Sequence, residues 1–342
     1  MSGSDDVYVL RADDLSAVID NRNSSDIRML LASEGVFVAG RKDFLSPYVD
    51  RFAFNSSWYS SACTGLFRVG GGEKFAGYRS TAQMDEIAER LEHIYISNAG
   101  RIEDAKILNR TTSGDAHTVT VEYIQRYPSK SAVLRRERRS FNFQMDEGDS
   151  GHLEFTTVVT DEKDIRALGV VLAAVHRQTE GELIPYALEK LTIQGRVNLF
   201  DEMMEDGLEW SVEDTLGLSV HNGTELTGNQ LQLLRRAVLE GQNLRGHELV
   251  EKLVAEGHYF SSGRLLLELT GHPIEVTVDI AFKNRPKSVV VSAAKSRLTD
   301  GDGEVETAIV HSILRKVWTK VHDEFDKIRA EEEAQSKSAD ET

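Results

Sequence analysis

Apolar and polar positions change their spacing several times along this chain. Up to about residue 102 the recurring interval is three to four, which predicts helices. Asp13 and Asp14 cap a short helix over 13–20, and Ser24 or Ser25 caps a second that stops at Gly35. "VFVAG" at 36–40 reads as a brief strand, and 41–54 as a helix containing Pro47. "TGLFRVGGGEKFAGYRS" at 64–80 reads as a glycine-rich turn between apolar pieces. The clearest early helix is predicted over 80–102, capped by Ser80 or Thr81, with Met84, Ile87, Leu91 and Ile94 on one face.

From His117 the period becomes two. Strands are predicted over 117–127 and 132–145, joined by a turn at Pro128, with a third over 151–160. A helix follows over 161–179, with acids in its first turn where the helix dipole favours them. The stretch 183–223 reads as short helices and loops around a domain boundary. Helices are predicted over 227–241 and 244–257, each ended by glycine, then strands over 263–271, 274–283 and 287–298. The helix pair before a hairpin has the outline of a winged helix, but "HELVEKLVAEG" is too acidic to read DNA and is expected to pack on the sheet. A long amphipathic helix over 303–330 carries Ile309, Ile313, Val317, Val321 and Phe325 down one face, and the polar tail is expected to lack structure.

These elements predict an α+β protein of small antiparallel sheets, each covered by helices. The expected divisions are a mixed α/β region at 1–115, a hairpin-plus-helix domain at 116–222, a helix pair, sheet and long helix at 223–330, and the tail at 331–342. Two segment pairs suggest internal duplication of a strand-turn-strand-helix unit. "LLASEGVFVAGR" resembles "KLVAEGHYFSSGR", and "VTVEYIQRYPSKSAVL" resembles "VTVDIAFKNRPKSVVV", in the same order. Such short matches also arise by chance.

Composition narrows the function classes. The 342 residues exceed the roughly 250–300 that one core usually serves, so more than one domain is expected. No apolar run approaches the roughly 18 residues needed to cross a bilayer, and the N-terminus lacks a signal-peptide pattern. The single cysteine, Cys63, agrees with a reducing compartment, and a cytoplasmic location without membrane contact is expected. The net charge of −16 argues against indiscriminate coating of DNA.

Against that acidity stands "AVLRRERRSFNF" at 132–143, with four arginines in twelve residues. Alternation puts Glu137, Arg139, Phe141 and Phe143 on one face of a strand, and Arg136, Arg138, Ser140 and Asn142 on the other. The basic positions of this hairpin are Arg126, Lys130, Arg135, Arg136, Arg138 and Arg139. A second basic island, at the matching place in the suggested repeat, holds Lys283, Arg285 and Lys287. Three readings compete. The arginines pair with the chain's surplus carboxylates or guard an edge strand. They form a phosphate-binding ribbon, with Tyr127, Phe141 and Phe143 adding base stacking. Or they dock an acidic partner protein.

The sequence carries no catalytic signature. The glycine run at 70–72 is followed by Glu73-Lys74 and fits neither a P-loop nor a dinucleotide fingerprint. "HELVE" has Glu251 where a zincin has its second histidine, and "DGDGEVE" lacks the calcium-loop frame. The acids of "FDEMMEDGLEW" read as a solvated face. No metal or cofactor is expected. The leading expectation is a non-enzymatic, nucleic-acid-associated binding protein for DNA or RNA that uses the arginine-rich hairpins. One alternative is an interaction or scaffold subunit, with the C-terminal helix at 303–329 anchoring a partner or a second copy through Trp318 and Phe325. The other is an enzyme whose site is assembled from residues distant in sequence.

Overall fold

The computed structural model describes residues 27–28, 31–32, 37, 73–114, 116–128, 136–148, 151–222, 236–284, 287–299 and 305–340. Among them, one antiparallel sheet of twelve strands dominates. The strands are β1 (Lys74–Ser80), β2 (Tyr95–Ala99), β3 (Ile102–Ser113), β4 (Ala116–Arg126), β5 (Arg136–Glu147), β6 (Leu153–Val159), β7 (Leu183–Ile184), β8 (Trp210–Asn222), β9 (Arg236–Glu240), β10 (His258–Leu269), β11 (Ile274–Asn284) and β12 (Lys287–Leu298). Their order is β2-β3-β4-β5-β6-β1-β12-β11-β10-β8-β9, with β7 alongside β1. The helices are α1 (Met84–Glu92), α2 (Glu162–His176), α3 (Ile193–Met203), α4 (Glu248–Ala255) and α5 (Thr307–Asp340).

The expectation of small separate sheets is therefore overturned, and seven residues explain why. β1 pairs along its length with β6, Lys74 to Val159 through Ser80 to Leu153. Its other edge pairs with β12, Phe75 facing Val291. This one strand stitches two strand groups into a single sheet. Its sequence, "KFAGYRS", hides it: both faces are buried, so it lacks the alternation that marks a half-buried strand.

By internal contacts the chain forms two compact units, one taking in residues 95–106 and 121–140, the other 71–94, 107–120 and 141–342. The second unit holds β1 and the main core. Tyr78 points toward α2, and its hydroxyl donates to the Ile165 carbonyl at 3.3 Å. Asp161 caps α2 by accepting from the Lys163 amide. On the opposite face of β1, Phe75 meets Trp318 of α5 edge-on, with ring centroids 5.9 Å apart. Ile313, Val317, Val321 and Phe325 of α5 are buried there, as their four-residue spacing predicts. So is Trp318, so the apolar face offered as an anchor for a partner is spent on the protein's own core.

Other elements also differ from expectation. The helix expected over 80–102 ends at Glu92, and Tyr95 onward forms the hairpin β2–β3. His93 closes the last turn, and the β-branched and aromatic run "IYIS" prefers the pleated surface. Arg236–Glu240, expected in a helix, pair as β9 with β8, so the winged-helix outline does not form. In the stretch read as short helices and loops, α3 forms as a helix and β8 occupies thirteen residues. α5 continues to Asp340, into the tail expected to lack structure. Ile27, Arg28, Leu31 and Ala32 are helical where a helix was expected. Both proline-turn segments of the suggested duplication form neighbouring strand pairs, β4–β5 and β11–β12. The first half of the other pair, "LLASEGVFVAGR", lies largely outside the described residues.

A charged network centres on a buried arginine where β1, β6 and α5 meet. Arg79 is 1% exposed. Its Nε donates to Glu154 at 2.9 Å and its Nη1 to Asp323 at 2.8 Å, while the guanidinium carbon lies 5.6 Å from the Trp318 ring centroid. Tyr186 donates to Asp326 at 2.8 Å. His322 lies between Trp318 and Tyr186, 3.9 Å from each ring centroid. Its Nδ1 faces the Trp318 carbonyl at 2.7 Å, and its buried Nε2 has no hydrogen-bond partner among the described residues. Burial, and then the Arg79 charge, hold His322 well below the usual histidine range.

Two outcomes follow from this packing. A Cβ on Gly77 would lie 2.5 Å from the Phe155 carbonyl oxygen and 2.9 Å from Trp318. Gly77→Ala should therefore cost about 1–3 kcal/mol, seen as a lower urea midpoint at unchanged slope. His322 and His176 both have lowered pKa values, mainly through burial. Below about pH 6.5 the unfolded chain takes up protons that the folded chain refuses, so stability should fall with pH there. Glu154, raised by burial against the pull of Arg79, acts with the opposite sign. Urea midpoints at about pH 7 and about pH 5.5 should therefore differ less in His322→Leu than in the parent.

Candidate nucleic-acid interface

The hairpin arginines lie on strands that cross the unit containing residues 95–106 and 121–140. Alternation along β5 falls as the sequence implies. Arg136, Arg138, Ser140, Asn142 and Gln144 are exposed, while Phe141, Phe143 and Met145 are buried on the opposite face. The stacking role expected of Phe141 and Phe143 is thereby excluded: both rings are core. Tyr127 is tied to Glu137 through its hydroxyl.

The basic residues are joined to acids across neighbouring strands. Glu103 of β3 receives Arg136 of β5 on Oε2, at 2.9 and 2.6 Å, and Arg126 of β4 on Oε1 at 3.1 Å. In the next row, Glu122 of β4 takes Lys106 of β3 at 3.2 Å and reaches Arg138 of β5 at 4.0 Å. Each row sets two bases around one carboxylate. Cross-strand neighbours on a sheet lie about 5 Å apart, so alternating signs in this way removes like-charge repulsion. The outermost arginines stay open to solvent, with 62% of the Arg136 side chain and 74% of the Arg138 side chain exposed. Arg139, on the opposite face, is largely buried against Glu137 at 2.9 Å.

One aromatic belongs to the second row. Tyr95 of β2 stands directly opposite Lys106, so the two share a face. It is 61% exposed, and its hydroxyl donates to Asp104 at 2.7 Å. That bond raises the Tyr95 pKa. Asp104 itself has φ of 50°, a left-handed conformation that aspartate tolerates better than most residues. The row thus reads Tyr95, Lys106, Glu122, Arg138 across four adjacent strands. Sequence reasoning placed Tyr95 inside a helix and so missed it; the only available signal was the β-prone run "IYIS".

The remaining expected positions divide as follows. Lys283 pairs with Glu162 at 3.0 Å, and Lys287 is exposed at the start of β12; both belong to the other unit. Lys130, Arg135 and Arg285, like Cys63, lie outside the described residues.

Two other places have the makings of chemistry. Ser80 Oγ lies 2.7 Å from His176 Nε2, and His176 Nδ1 lies 2.8 Å from the Leu172 carbonyl. This has the outline of a nucleophile, its base and a group that orients the base. Ser80 is fully buried, however, and also accepts from the Ala82 amide, so the pair braces the end of β1 against α2. A concavity of about 540 Å³ is lined by Asn142, Gln144, His311 and Arg315 together with Phe143 and Val158. Its charges are engaged: Arg315 with Asp146 at 2.6 Å, His311 with Glu73 at 2.7 Å. Among the described residues, no group of three or more His, Cys, Asp and Glu is placed to hold a metal.

The two carboxylates of the charge rows should differ in weight. Glu103 is buried and holds two guanidiniums, so Glu103→Gln should cost about 1.5–3 kcal/mol. Glu122→Gln, beside a more exposed arginine 4.0 Å away, should cost about 0–1 kcal/mol. Urea unfolding of the two variants at low ionic strength checks the contrast. In comparison with known proteins, no family matches this sequence, and no curated protein proves similar to it.

Proposed function

We propose that this protein binds nucleic acid, without catalysing a reaction on it, through the charge rows of β3, β4 and β5. The observation that carries the reading is the surplus of base over acid in those rows. In the two rows four bases, Lys106, Arg126, Arg136 and Arg138, surround the carboxylates Glu103 and Glu122, in a chain whose net charge is −16. After pairing, the first row keeps one positive charge and the second is balanced by Asp104 beside Tyr95, while the Arg136 and Arg138 guanidiniums face solvent. Arginine meets a phosphate through two parallel N–H donors, and a partly satisfied guanidinium keeps donors free for such a contact. The surrounding negative charge repels a polyanion beyond this patch, which favours a short footprint and modest affinity over coating of long tracts.

The reading is narrower than the sequence alone implied. It rests on Arg136, Arg138, Arg126 and Lys106, and gives no part to Arg139, Phe141 or Phe143.

Binding of fluorescent oligonucleotides, followed by anisotropy across a salt series, tests it. The parent should bind at low salt, with log affinity falling as log salt rises. Arg136→Gln combined with Arg138→Gln should reduce that slope by about 1.4–1.8, as loss of two phosphate contacts implies. Glutamine retains hydrogen-bonding capacity toward Glu103 and Glu122, so the fold should survive. An unchanged slope and affinity would overturn the reading.

A further inference from the structure

We propose that the ligand is single-stranded and that Tyr95 is the platform on which one of its bases stacks. This rests on the reading above and adds to it a strand preference and a residue. An aromatic side chain on a strand usually contributes its ring to a core, as Phe141 and Phe143 do from β5. Tyr95 leaves its ring largely open to solvent. Its hydroxyl is anchored to Asp104, which restrains the ring against swinging free. A restrained, exposed ring loses little conformational freedom when a base lies on it.

The neighbours of Tyr95 supply the other half of the argument. Lys106 faces it across the β2–β3 pair, and Glu122 links Lys106 to Arg138. With strands about 4.8 Å apart, Tyr95 on β2 and Arg138 on β5 lie about 14 Å apart across the sheet. Arg136 and Arg138, two residues apart on one strand, stand about 6.6 Å from each other. A ring at one end of a row and cations along it match the two faces of an unpaired nucleotide, an open base and a charged phosphate. A duplex offers its phosphates but keeps its bases stacked internally, so it gains nothing from an exposed ring. The solvent-facing guanidiniums of Arg136 and Arg138 favour a phosphate-bearing ligand over a neutral aromatic one.

Three measurements on one set of proteins decide the matter. Anisotropy is recorded for a short single-stranded DNA, the same sequence as RNA, and the corresponding duplex, each with the parent, Tyr95→Ala, Tyr95→Phe and the double glutamine variant. Tyr95→Ala should bind single strands roughly 5- to 150-fold more weakly, the range measured for base–aromatic stacking, and bind duplex as the parent does. Tyr95→Phe, which keeps the ring and loses the Asp104 bond, should bind within a few-fold of the parent. DNA and RNA binding alike would place recognition on base and phosphate; RNA alone would add the 2′-hydroxyl, and either outcome supports the platform. If Tyr95→Ala binds single strands as tightly as the parent while the double glutamine variant does not, the platform is wrong and the charge-row reading stands. If Tyr95→Phe fails as badly as Tyr95→Ala, the hydroxyl and not the ring matters, and stacking is overturned. If the parent binds a polyglutamate peptide but no oligonucleotide, both proposals fall.

Discussion

Everything in the larger unit depends on β1 being paired along both edges. A strand in the middle of a sheet satisfies its backbone groups on each side, and both of its faces must be covered by something. α2 covers one face through Tyr78, and α5 covers the other through Trp318. The tight point is Gly77, where the Phe155 carbonyl and the Trp318 ring leave no room for a Cβ. Arg79, two residues on, then has to be accommodated inside the protein. Its charge is compensated by Glu154 from the adjacent strand and Asp323 from α5. The same ion pairs that make the buried guanidinium tolerable therefore fix the register between helix and sheet. Removing one partner from such a network leaves an uncompensated buried charge, which is far costlier than never having placed the pair there.

The charge rows of the smaller unit use the same chemistry at the surface, with a different result. There the carboxylate is the buried member and the guanidiniums are the exposed ones. Glu103 is shielded while Arg136 projects, so the pair orders the arginine without discharging it toward solvent. This reconciles two readings of the basic hairpin that first look exclusive. An arginine can be held by a neighbouring acid and still present donors to a phosphate, because its guanidinium carries five N–H groups in a planar fork.

Much of the local structure could be read from the pattern of residues. The strands β4, β5, β10 and β11, the helix α2 and the buried stripe of α5 have strong periodicity, β6 and β12 have β-branched apolar runs, and all form close to where they are expected. The fold class could not be read, because it turns on β1. A strand buried on both faces shows no alternation, and the glycines before it resemble a turn. β9 and β2 were lost for a related reason. Their residues tolerate a helix, and only pairing with β8 and β3 decides otherwise. For the candidate interface, charge density along the sequence marked β5. Which arginines face solvent was set by alternation, and which acids hold them was set by strand order, which no local pattern encodes.

The double pairing of β1 also has a consequence in time. Phe75 meets Val291, a partner more than two hundred residues further along the chain. At a synthesis rate of about 5–20 residues per second, one edge of β1 waits on the order of 10–40 s for β12 to be made. Until then the part of the sheet already made carries an open hydrogen-bonding edge at β1, the kind of surface on which unfinished chains pair with one another. The residue order thus gives a newly made molecule a defined window of vulnerability, closed only when its C-terminal third has been made.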